Sequence, residues 1–194
     1  MSCFARMPLS EKPTVKVLLD ETQLQAGVGR MACEISAHYG DGPLTIVGVL
    51  TGSVVLLADL IRQLEMPLRV GVLQASSYHG ETTRGSITIN SDLLLDVNGR
   101  DVLLVDDIFD TGHTLSEVIP LLEKMGATSV RSAVLLRKHG RQEVEVKTEF
   151  VGFDIPDEFV VGYGLDYRDQ YRNLRYLAAL EPADLSDDSI GEDA

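Results

Sequence analysis

The stretch VLLVDDIFDTGHTL, from Val102 to Leu115, constrains the fold of this chain more than any other part of its sequence. Four apolar residues lead into the adjacent acids Asp106 and Asp107, and a third acid, Asp110, follows before a run of small polar residues. An apolar run of this kind indicates a strand buried on both faces. Neighbouring carboxylates repel one another, so a positively charged partner should meet them. The stretch therefore predicts a buried strand that ends in a ligand-binding loop.

Strands and helices alternate along the remaining chain. Apolar runs predict strands, and amphipathic stretches that follow an N-cap residue predict helices. The predicted strands are 44–50, 68–74, 101–107 and 129–138, with a short one after the polar stretch 75–86. Three helices are predicted: the first starts at Asp20 and ends at Gly40, the second spans 53–64 with Ser53 as N-cap, and the third runs from His113 to Met125. This alternation is typical of an α/β fold, in which helices flank a mainly parallel sheet.

The length of 194 residues fits a single domain with short appendages. The predicted units are a loose arm over residues 1–13, one domain over 14–180 with its core at about 14–150 and a small cap mainly at 150–180, and a tail over 181–194. The cap is expected because short strands and turns replace the alternating pattern there. The tail has six acidic residues and no basic ones, which predicts a solvated segment.

The formal net charge of −13 limits the kinds of partner. Nucleic-acid backbones and anionic membranes both attract basic surfaces, so neither is expected as a partner. No apolar run approaches the roughly 20 residues that a membrane-spanning helix needs. Two cysteines, Cys3 and Cys33, make no disulfide framework, and a reducing cytoplasm is the expected location. Cys33 is expected to be a small core residue on the first helix.

The loop after Asp107 has the composition of a phosphate site. In an open α/β sheet, ligands bind beyond the carboxyl ends of the strands. Small residues in DTGHT let backbone N–H groups converge at a helix N-terminus, and Thr111 and Thr114 add hydroxyl donors. The carboxylates of Asp106 and Asp107 cannot bind phosphate, so they are expected to hold sugar hydroxyls or a divalent metal. The predicted ligand combines phosphate, hydroxyls and metal.

VLLVDDIFDTGHT resembles the phosphoribosyl-diphosphate signature of the type I phosphoribosyltransferases. Four further motifs resemble one branch of that family, the hypoxanthine-guanine phosphoribosyltransferases. They are LTGS (50–53), like the pyrophosphate loop; SSYHGETTRGSITI (76–89), like the flexible catalytic loop; LLRKHG (135–140), with the purine-contacting lysine; and EFVVGYGLDYRDQYRNL (158–174). The motifs occur in the family's order between about Leu44 and Leu180. The resemblance implies the type I phosphoribosyltransferase fold, with a small cap subdomain.

The resemblance also implies a reaction. A ribosyl 5-phosphate passes from phosphoribosyl diphosphate to N9 of hypoxanthine or guanine, which releases pyrophosphate and requires Mg²⁺. Asp106 and Asp107 would hold the ribose hydroxyls and the metal, and Asp110 would be the general base near purine N7. The 5-phosphate would bind to Asp110, Thr111, Gly112, His113 and Thr114, with only the backbone N–H of His113 used. From the residues alone, Asp110 could instead be a plain helix N-cap.

The pyrophosphate site implied by the resemblance comprises Thr51, Gly52 and Arg172. Gly52 would allow the backbone to approach the pyrophosphate, and a cis peptide is expected between Leu50 and Thr51. Some family members carry a basic residue where this chain has Thr51. The positive charge would then come from Arg172, although an arginine on the surface with no such role is the simpler alternative.

The purine site implied by the resemblance comprises Lys138, Phe159, Val160 and Asp166. Lys138 would donate to O6, which favours 6-oxopurines over adenine because an ammonium and an amino group are both donors. Phe159 would stack on the purine, the backbone of Val160 would contact its edge, and Asp166 would contact a second Mg²⁺. From the residues alone, Lys138 could instead be an exposed surface lysine, and Phe159 could be a core residue. Two residues of the flexible loop, Ser77 and Tyr78, would close as a lid.

Three rival functions remain open on the sequence. One is a nucleic-acid-binding regulator built on the same fold, which the acidic charge and the intact Asp110 argue against. Another is a phospho-acceptor receiver domain, whose acidic pair follows the first strand instead of lying mid-chain. The nearest rival is a xanthine-preferring transferase. The family usually forms homodimers or homotetramers, so an oligomer is expected.

Overall fold

The computed structural model describes residues 15–77, 87–90 and 95–181. Its elements are β1 Lys16–Leu19, α1 Glu21–Tyr39, β2 Leu44–Leu50, α2 Val54–Ile61, β3 Leu68–Ser77, β4 Ile87–Asn90, β5 Asp101–Phe109, α3 His113–Lys124, β6 Ser129–Lys138, β7 Phe150–Ile155, β8 Val160–Val161 and β9 Leu177–Ala179. The predicted arm over 1–13, the tail beyond 181 and the lid residue Tyr78 lie outside the described residues. Within the described ranges, no helix has the length and apolarity needed to cross a membrane.

A six-stranded sheet in the order β4-β3-β2-β5-β6-β7 forms the centre of the fold. All neighbouring pairs are parallel except β3 with β4, so the predicted mainly parallel sheet is confirmed. β2 is buried along almost its full length because α1 and α2 cover one face of the sheet and α3 covers the other. This two-sided burial explains why the strands are apolar on both faces.

Helix α1 forms as the sequence predicts. The Asp20 side chain accepts a hydrogen bond from the backbone N–H of Gln23, whose side chain in turn accepts one from the Asp20 N–H. This reciprocal capping box fixes the start of the helix. The expectation that Cys33 is a core residue is wrong, because its side chain is exposed. Cys33 lies two positions after the buried Met31, which places it roughly 200° around the helix and away from the sheet.

Helix α2 is shorter than the predicted span of 53–64. Ser53 occupies the N-cap position without capping the helix, because it has helical φ and ψ angles and its side chain makes no cap hydrogen bond. Its buried hydroxyl donates instead to the carbonyl of Val49, four residues earlier. The serine therefore joins the end of β2 to the start of α2.

Residues 150–180, where the cap is mainly predicted, divide between the two sheets of the fold. β7, which begins at Phe150, belongs to the central sheet and pairs with β6 in parallel. The cap sheet has the order β1-β9-β8, and Lys16 pairs with Ala179. The cap therefore includes a strand from the start of the domain as well as residues after β7. Local pattern could not reveal this pairing, because β1 and β9 are about 160 residues apart in the chain.

Candidate active site

The carboxyl ends of β2 and β5 lie side by side and place two predicted motifs together. The two strands are parallel and in register from Thr45 with Val102 to Gly48 with Val105. The loop after β2 therefore reaches the acids at the end of β5. The predicted cis peptide between Leu50 and Thr51 is present.

Gly52 is required by its contact with the acidic strand end. A Cβ atom at this position would lie only 1.7 Å from Oδ2 of Asp107, so no other residue fits without displacing that carboxylate. A Cβ on Gly164, in the cap, would likewise lie 2.2 Å from the carbonyl oxygen of Gly52. The loop over 50–53 is thus held closely between the β5 acids and the cap. Thr51 itself is exposed.

We call Asp106 and Asp107 the acidic pair. Asp106 is buried, and its Oδ1 accepts a hydrogen bond of 3.0 Å from the Asp107 N–H. Burial raises the pKa of Asp106 well above its ordinary value, and the charge of Asp107 raises it further. Burial also raises the pKa of Asp107, whereas hydrogen bonds with Asp106 and Ile108 and the charge of Arg172 lower it. Within the described residues neither carboxylate forms an ion pair.

The acidic pair suits a divalent cation with an incomplete protein shell. Carboxylate oxygens are the ligands that Mg²⁺ prefers, and this ion usually keeps several water or phosphate oxygens. A cation would also stabilise two ionised groups whose pKa values burial now raises. Across the part of the chain that the structure describes, no three acidic, histidine or cysteine side chains converge into a closed metal cage. The donor set therefore fits a metal that arrives with a ligand.

A cavity of about 220 Å³ lies beside the acidic pair. Its lining includes Leu50, Gly52, Asp106, Asp107, Asp110, Thr111, Gly112 and Thr114. Gly112, with a φ of 92°, occupies the N-cap position of α3, and no side chain makes a cap hydrogen bond there. The first N–H groups of α3 are therefore available to an anion. The alternative that Asp110 is merely the N-cap of this helix is wrong.

A second cavity of about 230 Å³ adjoins the first. Its lining comprises Asp107, Ile108, Asp110, Lys138, Phe159, Val160, Leu165 and Asp166. Asp107, Ile108 and Asp110 line both cavities. Asp110 thus stands at the boundary, where it can reach ligands in either cavity.

The exposures of Lys138 and Phe159 argue against the simpler interpretations of both residues. Lys138 is 6% exposed at the end of β6, so it is not a surface lysine, and its Nζ lies 3.6 Å from Oδ2 of Asp110. Phe159 is 42% exposed and therefore is not a core residue. Its ring meets the edge of Tyr167 at a centroid distance of 5.4 Å. Val160, by contrast, is buried in β8.

Arg172 is tied into the cap beside the acidic pair. Its Nη1 donates to the carbonyl of Gly164 at 2.9 Å, and its Nη2 lies 2.9 Å from Oδ1 of Asp166 and 3.5 Å from Asp169. It is therefore not an unattached surface arginine. Arg172 and Thr51 line neither of the two cavities described above. Ser77 ends β3, next to the edge strand β4.

Sequence reasoning missed a segment that lies along the candidate phosphate loop. We call residues 141–144 the strap. The backbone N–H groups of Glu143 and Val144 both donate to the carbonyl of Thr111, at 3.0 and 3.2 Å. The Glu143 carboxylate is 3.0 Å from Nε2 of His113, which agrees with an imidazole that does not face the phosphate cavity. Arg141 reaches Asp110, with its Nε 3.1 Å from Oδ1. The one signal in the sequence is a second cation three residues after Lys138.

The chain is similar to known proteins over most of its length. Residues 14–168 match the family described as phosphoribosyl transferase domain. The chain is 42% identical over 171 residues to the hypoxanthine-guanine phosphoribosyltransferase of Staphylococcus epidermidis, across 88% of this chain and 96% of the relative. It is 43% identical over 169 residues to the hypoxanthine phosphoribosyltransferase of Salmonella typhimurium, across 86% and 95%.

Solved structures agree with the sequence comparison. A crystal structure of a hypoxanthine phosphoribosyltransferase from Staphylococcus aureus matches with a TM-score of 0.82 at 39% identity, covering 87% of this chain and 92% of that one. The enzyme from Trypanosoma cruzi, solved as a ternary substrates complex, also gives 0.82, at 34% identity, covering 88% and 97%. The chain therefore belongs to the phosphoribosyltransferase family, in the branch of the hypoxanthine-guanine phosphoribosyltransferases.

Proposed function

We propose that this protein transfers the 5-phosphoribosyl group from phosphoribosyl diphosphate to N9 of hypoxanthine or guanine, forming IMP or GMP and pyrophosphate in purine salvage. The names of its relatives support the substrates. The observation that carries the proposal is the pair of adjoining cavities with Asp110 between them. Two reactants that must form one bond need adjacent sites with a catalytic group at their boundary.

The first cavity would hold the sugar phosphate. The 5-phosphate would accept hydrogen bonds from the α3 N-terminus and from the hydroxyls of Thr111 and Thr114, with Gly112 and the backbone of His113 completing the loop. Partial positive charge at a helix N-terminus favours this anion. The ribose hydroxyls would bind to the acidic pair. Both arrangements fix C1 of the sugar near Asp110.

Asp110 would be the general base. As purine N9 forms its bond to C1 and pyrophosphate leaves, Asp110 would accept or share the proton at N7. A positioned base of this kind contributes about 10²–10⁴-fold to a rate. Its negative charge would also stabilise the positive charge that develops on the sugar. Its place between the cavities supports both functions.

The second cavity would hold the purine. The buried ammonium of Lys138 would donate to O6, and an amino group at that position would bring two donors together. Phe159, whose ring is partly exposed, is available to stack on the base. The backbone of Val160 would contact the purine edge. These contacts favour 6-oxopurines and leave a xanthine-preferring enzyme as the nearest rival.

We propose Mg²⁺ as the cofactor, held by Asp106 and Asp107, with Asp166 contacting a second ion. When bound, the metal would neutralise and orient the diphosphate as it leaves. Thr51, Gly52 and Arg172 would bind the pyrophosphate. The lid residues Ser77 and Tyr78 would exclude water from the sugar cation.

The wider setting of the enzyme is also proposed. The domain over residues 14–180 would act in the cytoplasm as a homodimer or homotetramer, without nucleic acid or membrane as partner. A regulator on the same fold finds no support among the relatives, which are named as enzymes. The net charge of −13 of this chain also disfavours binding to nucleic acid.

The direct test is to supply the purified protein with phosphoribosyl diphosphate, Mg²⁺ and a panel of hypoxanthine, guanine, xanthine and adenine. We expect nucleoside monophosphate from hypoxanthine and guanine and none from adenine. Preferential product from xanthine would identify the nearest rival instead. If no base reacts while the protein remains folded, the proposal is wrong.

A further inference from the structure

Four side chains of alternating charge lie together around Asp110, the residue at the boundary of the two cavities. Lys138 Nζ is 3.6 Å from Oδ2 of Asp110 and 3.6 Å from Oδ1 of Asp157. Arg141 Nε is 3.1 Å from the other oxygen of Asp110, and its Nη1 is 3.4 Å from the same oxygen of Asp157. We call these four residues the charge quartet. Each carboxylate faces both cations, so the formal charges within the quartet balance.

Two members of the quartet have roles in the proposed function, on which this inference rests, and two have none so far. Asp110 and Lys138 line the purine cavity, whereas Arg141 and Asp157 do not. The latter two approach from adjacent chain segments, since Arg141 follows β6 and Asp157 follows β7. Any effect of Arg141 and Asp157 on the reaction therefore passes through Asp110 and Lys138.

The two cations take different oxygens of Asp110. Lys138 faces Oδ2, and Arg141 faces Oδ1, which is buried and accepts no hydrogen bond from the described residues. The separation of 3.6 Å between Nζ and Oδ2 leaves the Lys138 ammonium able to turn toward O6 of a bound purine and away from Oδ2. That oxygen then becomes free for the purine, while Oδ1 keeps a positive charge beside it. Without Arg141, Asp110 would lose its cation at the moment when it must stay ionised and oriented.

We propose that Arg141 and Asp157 are positioning residues for the reaction: Arg141 holds Asp110 through Oδ1 when Lys138 turns to the purine, and Asp157 holds Lys138 and Arg141 in place. A charge 3–4 Å away, in a partly buried site, interacts strongly enough to fix a carboxylate. The proposal assigns the strap a part in catalysis besides its backbone contact with the phosphate loop.

Replacing Arg141 with methionine tests the proposal by separating kcat from KM. We expect kcat to fall by about 10-fold, a part of the roughly 10²–10⁴-fold that a positioned base supplies. The KM for phosphoribosyl diphosphate should stay within about 2-fold, because Arg141 lies on the Asp110 side and leaves the Thr111 contacts of the strap intact. Arg141→Lys should recover part of kcat, since it restores the charge.

Arg137→Met is the matched control. Arg137 is four residues earlier and pairs with Asp154, which belongs to neither cavity, so the variant loses an equal charge from the same strand end. Its kcat should match the wild type. If Arg141→Met also keeps the wild-type kcat, Arg141 is only structural. The same holds if its loss of activity comes wholly from a raised KM for phosphoribosyl diphosphate or from a lowered melting temperature.

A double-mutant cycle shows whether Arg141 acts through Asp110. In an Asp110→Asn background, Arg141→Met should change kcat by less than about 2-fold, because its target is already gone. Losses that multiply would overturn the proposal. Wild-type protein that forms no nucleotide at all would instead overturn the proposed function, and the positioning role with it. Active wild type with an additive cycle would remove the positioning role alone.

Discussion

The acidic pair and the charge quartet are two groups of carboxylates at the same edge of the sheet, and they are balanced in opposite ways. Asp106 and Asp107 have no ion-pair partner within the described residues, and burial raises the pKa of both. Asp110 and Asp157 each face two cations at 3.1–3.6 Å. The charge quartet is therefore balanced by its own cations, whereas the acidic pair has only the charge of Arg172, which lowers the pKa of Asp107.

This difference indicates what each group is prepared to bind. A pair without a cation gains most from one that a ligand brings, such as a metal chelated by phosphoribosyl diphosphate. A balanced quartet gains nothing from a further charge, but it can exchange one contact for a neutral purine oxygen at little electrostatic cost. The same residue type thus suits a charged ligand on one side of Asp110 and a neutral ligand on the other.

Asp110→Asn should have the largest effect, because it removes the base and unbalances the quartet. We expect kcat to fall by about 10²-fold or more, whereas affinity for phosphoribosyl diphosphate should change far less. Steady-state kinetics with both substrates varied would measure this. Asp154→Asn removes a carboxylate that pairs with Arg137 outside the site and should be near wild type. Equal losses in turnover and affinity would contradict the role of base.

Gly52→Ala should have the next largest effect on activity, and it should act through the acidic pair and not through the charge quartet. A Cβ atom would lie 1.7 Å from Asp107 Oδ2, so the carboxylate must move. Misplacement of a substrate-binding group by about 1 Å can cost on the order of 10²-fold in rate. We therefore expect kcat/KM for phosphoribosyl diphosphate to fall by about 10–100-fold with a greater Mg²⁺ requirement.

The control for this variant is Gly29→Ala, on α1, where the nearest group to a new Cβ is the side chain of Gln63 at 3.3 Å. A side chain at that distance can move slightly, so activity should persist. If Gly52→Ala kept the wild-type Mg²⁺ dependence, the contact between the loop and the acidic pair would have no functional weight.

Lys138→Ala should act on the purine side and leave the acidic pair unchanged. Hydrogen bonds to charged groups contribute about 1.5–3 kcal/mol, so KM for hypoxanthine should rise by about 10–100-fold. The KM for phosphoribosyl diphosphate should change little. Lys147→Ala, at an exposed lysine beside Glu149, is the control. Unchanged affinity for hypoxanthine would mean that another group donates to O6.

The two groups also differ in how far the sequence predicted them. The acidic pair could be predicted because Asp106 and Asp107 are adjacent and interrupt a buried apolar strand. Within the quartet, only Asp110 and Lys138 could be predicted as site residues, and their roles came from the family resemblance. Arg141 meets Asp110 because β5 and β6 run parallel in register, with Phe109 opposite Arg137, and this register is a property of the sheet.

The errors in the fold have the same origin. The Asp20 cap of α1 depends on residues three apart and was predicted correctly. The Ser53 hydroxyl bonds back to β2, and β1 pairs with β9 across the whole domain. Local pattern favoured a helix cap at Ser53 and gave no signal for the strand pairing. Contacts between distant segments override such local preferences.

The smallest predicted effect is the change in stability that Asp106→Asn causes in the metal-free protein. The sign of this change distinguishes the acidic pair from a balanced group. Because the pKa of Asp106 is raised on folding, the folded state binds the proton more tightly than the unfolded chain. The metal-free protein should therefore lose stability as pH rises from the ordinary carboxyl pKa of 3.8 through the higher folded value.

The asparagine variant cannot ionise, so near neutral pH and without Mg²⁺ it should melt above the wild type by about 2–4 °C, the shift that roughly 1 kcal/mol produces in a domain of this size. Melting scans between pH 4 and 8 would show the two curves converging at the acid end. Mg²⁺ with phosphoribosyl diphosphate should stabilise the wild type more than the variant. A variant that melts lower at neutral pH would mean that the ionised Asp106 is already compensated within the protein, and the contrast with the charge quartet would disappear.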